Sequence, residues 1–181
     1  GHFRRGYWDG DGVLTYSNGC RYEGNFERDV RQGKGTFTFT SGNEYRGEWD
    51  RGLPNGEGNI NYANGDGYVG GFHDGLFNGK GKYEFAGGLS WYDGDWMMGK
   101  IDGFGTFQYA HGDSYEGEWE NDQMHGRGVR KELRMLSDIT MDAFETLHER
   151  GVLVRYTDKS GLWTLPVDTE VVDRMNQSVR E

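Results

Sequence analysis

The sequence predicts a mainly β protein: an elongated, single-layer antiparallel sheet of β-hairpins with a small α+β segment at its C-terminal end. Three observations carry this. A tyrosine-led motif returns at positions 22, 45, 68, 92 and 115, in steps of 23, 23, 24 and 23 residues. Inside each unit, apolar or glycine positions alternate with polar ones at period two, the pattern of a half-buried strand rather than a helix. The composition combines 32 glycines and 15% aromatic residues with only 34% hydrophobic residues. That is too little apolar material for an ordinary core and too many rings for a disordered tract. Large rings beside many glycines imply a thin architecture in which rings lie against bare backbone.

In chain order, Gly1-His2 stands where no initiating Met does. It reads as the scar of a cleaved tag, with residues 1–7 as a lead-in and the chain as an excised fragment. The repeat array is expected over residues 8–130. Gly10 and Gly12 lie one period before Gly33 and Gly35 and mark a partial unit. Full units follow, each with a motif such as Tyr45-Arg-Gly-Glu-Trp49 and a second glycine pair: 33/35, 56/58, 79/81, 103/105 and 126/128. The one longer unit carries its extra residue around Ala86-Gly87-Gly88-Leu89. Turn residues such as Asp50-Arg-Gly-Leu-Pro-Asn55 and Asn64-Gly65 separate the two segments, so each unit reads as a hairpin. About 5.5 units, with strands roughly 4.8 Å apart, make a ribbon on the order of 50 Å long. Glycine weakens a strand interior. Its regular placement is explained if neighbouring rings lie flat over the glycine backbone, forming their own layer.

Tyr-x-Gly-x-Trp followed by Gly-x-Gly at this period resembles the MORN (membrane occupation and recognition nexus) repeat, over roughly residues 8–130. The resemblance implies a twisted sheet of hairpins with an aromatic-lined groove. It also implies a scaffold or adaptor in the cytoplasm, at cytoskeletal, ciliary or membrane-associated sites, dimerising in some members and joined to a catalytic domain in others. No such domain is visible here. Phe26 and Phe72 stand where Trp is commoner, and Asp122 replaces the turn glycine of Gly52, Gly75 and Gly99.

Past Gly128 the repeat stops. Val129, Leu133 and Leu136 have helical spacing. A helix is expected from about Met141 to Arg150, with Thr140 as N-cap, Ile139 stapled to Phe144, and Gly151 ending it. Val152–Tyr156 and Leu162–Leu165 read as a hairpin, and Val172, Met175 and Val179 as a last amphipathic helix. This segment, 131–181, loosely resembles half a winged helix; a cap over the sheet's final edge is the simpler expectation.

No sequence feature supports catalysis or a cofactor. Gly75–Lys80 is one residue short of a P-loop and lacks the following Ser/Thr. Asp9-Gly-Asp-Gly12 and Asp93-Gly-Asp95 lack the ligand spacing of calcium loops. The five histidines are never paired at helical ligand spacing, and Cys20 is alone, so no zinc pattern exists. A single cysteine also fits a reducing compartment. The net charge of −10 opposes nucleic acid and anionic membranes as main partners.

What remains is surface. The rings Tyr45/Trp49, Tyr68/Phe72, Tyr92/Trp96 and Tyr115/Trp119 form a stripe expected to hold the ribbon together and to line a groove. Trp91, Met97, Met98, Ile101 and Phe104 are apolar where sister units are polar. Phe104 takes the position of Lys34, Glu57, Lys80 and Arg127 and should point to the polar face, where an exposed ring signals a contact, equally one with a partner or one with this chain's own returning C-terminal segment. The sequence therefore predicts a non-enzymatic scaffold that binds a helical or extended protein segment through the groove or the apolar fourth unit. Homodimerisation, lipid binding and service as the targeting arm of a larger enzyme stand as alternatives.

Overall fold

A computed structural model describes residues 2–134, 140–149 and 152–155. No helix occurs among them. A small hairpin opens the chain, with β1 at Phe3–Arg4 and β2 at Tyr7–Trp8. Then come β3 (Gly10–Thr15), β4 (Arg21–Glu27), β5 (Val30–Thr38) and β6 (Glu44–Asp50). The middle of the ribbon is β7 (Leu53–Asn61), β8 (Gly67–His73), β9 (Leu76–Glu84) and β10 (Trp91–Met97). It continues through β11 (Lys100–Gln108), β12 (Ser114–Glu120), β13 (Gln123–Arg134), β14 (Thr140–Glu149) and β15 (Val152–Arg155). From β3 to β15 each strand pairs with the next in sequence, making one open antiparallel sheet of 13 strands. The expected meander of hairpins is what the chain builds.

Each unit's two strands meet in a two-residue turn. Arg28/Asp29, Arg51/Gly52, Asp74/Gly75, Met98/Gly99 and Asn121/Asp122 all have positive φ at both central positions. That is a type I′ turn, whose twist matches the strands it joins. Asp122 substitutes for glycine because a short carboxylate side chain tolerates this conformation. The second central N–H of each turn then reaches back to the preceding unit: Asp29 to Trp8 O, Gly52 to Arg31 O, Gly75 to Pro54 O, Gly99 to Phe77 O and Asp122 to Ile101 O, at 2.8–3.1 Å.

The ring layer sits on one face, and its origin is local. The unit-leading strand carries a register shift after its glycine, between Gly24/Phe26, Gly47/Trp49, Gly70/Phe72 and Gly94/Trp96, with a similar one at Gly117/Glu118. Each unit's tyrosine lies across the glycine pair at that point and donates its hydroxyl to the carbonyl of the bulged residue. The acceptors are Asn25, Glu48, Gly71, Asp95 and Glu118, at 2.9–3.2 Å. In Trp49, Trp96 and Trp119 the indole N–H donates to the carbonyl of Gly35, Gly81 or Gly105 in the preceding unit, at 3.0–3.1 Å.

Three expectations are corrected. Residues 1–7 are not a bare lead-in: Arg5/Gly6 repeat the positive φ pair of the other turns, and Trp8 packs edge-on against Phe26. The hairpin of the partial unit therefore begins by Phe3. The helical spacing after Gly128 is overridden, since β13 stays extended through Arg134. Met141–Glu149, expected as a helix, is the strand β14 paired along β13. An isolated helix shorter than about 12 residues is marginal, whereas the open edge of β13 offers a full row of donors and acceptors. Val152–Arg155 is a strand as expected, added beyond β14. The hairpin's second strand and the last helix lie outside the described residues.

A Cβ on Gly81 would lie 2.2 Å from the Tyr68 hydroxyl. Gly81→Ala is expected to lower unfolding free energy by about 3 kcal/mol. Tyr68→Phe, which removes only the bond to the Gly71 carbonyl, should lose roughly 1–3 kcal/mol. Urea unfolding followed by tryptophan fluorescence checks both and their order.

Candidate functional site

The two faces of the ribbon differ in what they leave accessible. On the ring face Tyr45, Trp49, Tyr68, Phe72, Tyr92, Trp96, Tyr115 and Trp119 are all buried. Their edge-to-face contacts run from unit to unit, as in Tyr45–Phe72, Tyr68–Trp96 and Tyr92–Trp119. A further residue closes each layer from the second strand. Arg31 sets its guanidinium 4.4 Å from the Trp49 ring centre, and Phe77 stacks on Tyr68 at 3.7 Å. Ile101 takes the same place opposite Trp96. It is fully buried, so it belongs to the ring layer and not to an apolar contact surface. Its sister positions Pro54, Phe77 and Met124 carried that signal. The rings of the expected groove therefore contact one another, leaving little surface for a partner.

Burial also sets the chemistry of these phenols. Loss of water pushes the Tyr22 and Tyr109 pKa values up to about 12, with smaller opposing pulls from Arg31 and Arg130. Tyr45, Tyr68, Tyr92 and Tyr115 are driven higher still by the same burial.

The opposite face is polar, and three of the remaining candidates are exposed on or beside it. Phe104 is 50% exposed, and Met97 and Met98 are each 54% exposed. Trp91 is half-buried, with the Lys82 ammonium 5.1 Å from its ring centre. Strand register brings them onto β10 and β11 but not into one cluster. Met97 lies opposite Lys100 near the turn, and Trp91 opposite Gln108 at the far end. Phe104 lies between, facing Glu118 of β12. Its N–H donates to the Asp95 carboxylate at 2.9 Å, and Lys80 pairs with the same carboxylate at 2.7 Å. Burial opposes the charge on Asp95, but Lys80 and the Phe104 N–H outweigh it and hold the pKa below the ordinary carboxylate value.

One row further along, Asp93 faces Thr106, and Thr106 faces Glu116. Among the described residues no cation pairs with Asp93, Glu116 or Glu118. Elsewhere on this face charges neutralise one another, as in Arg46–Glu44 and Lys82–Glu84. Over β5–β8 the face forms a shallow trough with glycine backbone as floor and Lys34, Arg46, Glu57 and Val69 among its walls. Val69, 64% exposed, is an apolar wall residue of this trough absent from the sequence-predicted candidates. The available signal was its position after the unit tyrosine, where Glu23, Arg46, Asp93 and Glu116 are charged.

Among the described residues no group of three or more His, Cys, Asp or Glu side chains is placed to hold a metal ion. No helix there is long and apolar enough to cross a membrane. What the described residues offer on this face is contact and charge.

Comparison with known proteins agrees with the architecture. A family model described as the MORN repeat matches six consecutive segments: 1–21, 22–44, 45–67, 68–90, 92–114 and 115–131. The match begins before residue 8, in keeping with the first hairpin. No curated protein matches the chain.

Two outcomes follow. Native phenol pKa values raised above the unfolded value near 10 mean that the folded state retains protons longer. Stability from these tyrosines is complete below about pH 10 and falls as pH rises towards 12 and beyond. Tyrosinate absorbance is expected to rise together with loss of the far-ultraviolet β signal, as one alkaline transition. Separately, Met98 holds φ 51°, a conformation that costs an unbranched apolar residue roughly 1 kcal/mol and suits Asn. Met98→Asn should raise unfolding free energy by about that amount, measured by thermal melting.

Proposed function

The chain belongs to the MORN repeat family, and from that premise we propose that it is a non-enzymatic scaffold whose polar face binds a protein segment at the fourth unit. Repeats of this family build scaffolds for protein or membrane interaction. The single observation that supports this location is Phe104, a half-exposed ring where sister units place Lys34, Glu57, Lys80 and Arg127. It contributes little to the ring layer, which lies on the other face. Met98 adds a second exposed apolar side chain, at a turn position where it works against the fold. Residues that break a local rule without stabilising the structure mark contacts made elsewhere. A bare, partly exposed aromatic is also the side-chain type most often central to an interface. We assign Phe104 as the anchor of the contact, Met97 and Met98 as its turn-side margin and Trp91 as its far margin. Activity in the cytoplasm, next to cytoskeletal or membrane structures, fits the family.

Phe104→Asp is expected to remove binding while leaving the melting temperature within a few degrees of wild type. Leu89→Asp, a change at an exposed residue in an inter-unit loop, should leave both untouched. Affinity capture with the three proteins, quantified by mass spectrometry, decides the matter. Partners retained equally by Phe104→Asp would exclude this surface. Light scattering on the same samples separates self-association from binding to another protein.

A further inference from the structure

We propose that the segment bound at Phe104 is a basic one from another protein, carrying two Lys or Arg residues on either side of an apolar residue; this rests on the surface assigned above. The charge of the chain is unevenly placed. Between Trp91 and Glu120 there are seven carboxylates and one lysine, a net charge of −6 out of −10 for the whole. Four of the seven border a single strand, β11, on the polar face. Asp93 and Glu116 flank Thr106, while Asp95 and Glu118 flank Phe104. Asp95 is already neutralised by Lys80. Asp93, Glu116 and Glu118 stay exposed and form no ion pair among the described residues, the Lys82 that stands opposite Asp93 bonding Glu84 instead. An exposed ring with the unpaired Glu118 beside it and Asp93 and Glu116 one row along is complementary to an apolar side chain between cations.

Other occupants of the same surface fit less well. Residues 156–181 hold Lys159, Arg174 and Arg180 against five carboxylates, a net of −2, so this chain's own C-terminal stretch repels the patch. A second copy meeting it would bring two acidic surfaces together. Anionic membrane lipid and nucleic acid are repelled for the same reason.

The spacing is informative as well. Carboxylates on β10 and β12 stand two strands apart, roughly 10 Å, which an extended chain spans in about three residues. The favoured sequence is thus basic–x–x–basic with an apolar residue inside the pair.

The test is selection from a randomised dodecapeptide display library against the immobilised full chain, with Phe104→Asp and Glu116→Gln/Glu118→Gln run in parallel. Wild type should enrich net-positive sequences with basic residues three apart. Synthetic versions should bind the double variant at least about 10-fold more weakly, and weaken as salt rises. Three results overturn the proposal. Enrichment of neutral or acidic sequences that Phe104→Asp loses would refute the basic partner while leaving segment binding at Phe104 standing. Failure of wild type to retain any sequence over Phe104→Asp would refute both. Binding of the chain to phosphatidylserine vesicles, abolished by Phe104→Asp, would assign the surface to lipid instead.

Discussion

The tyrosine laid over a glycine pair is the contact on which everything else rests. A single-layer sheet has no second layer to bury its apolar face, so the side chains of one strand must cover the backbone of the next. That requires positions without Cβ, and at Gly35, Gly58, Gly81, Gly105 and Gly128 an added Cβ would meet the tyrosine ring below 3 Å. The bulge beside each pair turns a carbonyl towards the hydroxyl. Ring, glycine and bulge therefore form one device: the glycines admit the ring, the ring excludes water, and the hydroxyl satisfies the group the bulge displaces.

Because the device uses one face completely, it divides the molecule's tasks. The ring face builds the ribbon, and recognition falls to the polar face and the turns. The aromatic stripe looks like a groove in sequence, yet its rings are saturated by their own neighbours. Changes of residue on the ring face exchange one filler for another, as Arg31, Pro54, Phe77, Ile101 and Met124 do on successive second strands. On the polar face an exchange changes what the surface can contact, and Phe104 for Lys, Glu or Arg is the largest such change.

The repeat region was legible because its determinants are local. A period-two pattern, a turn dipeptide and a glycine–aromatic pairing lie within one unit, and five copies make each visible five times. Phe104's exposure followed from register alone. Ile101 was misjudged because its face depends on the bulge before Trp96, which shifts alternation in a way the residue pattern does not reveal. The burial of Trp49 and Trp96 depends on rings from neighbouring units, a contact between copies and not within one. Thr140–Glu149 failed for a different reason. Its few apolar residues suit a short helix, and only the vacant edge of β13 favours an extended chain there.

The two long borders of the ribbon are not equivalent. On one, the five turns from Arg28/Asp29 to Asn121/Asp122 are each locked by an N–H reaching into the previous unit, and all have the same two-residue geometry. On the other, the loops between units vary, and Ala86-Gly87-Gly88-Leu89 absorbs an additional residue while Tyr92 and Trp96 keep their pairing with Tyr83 and Gly79. That border is a natural splice point. Foreign sequence, such as an epitope or a fluorophore acceptor, introduced between Gly87 and Gly88 would extend from the ribbon at the level of the fourth unit, within reach of the Phe104 face and outside the ladder that sets its register.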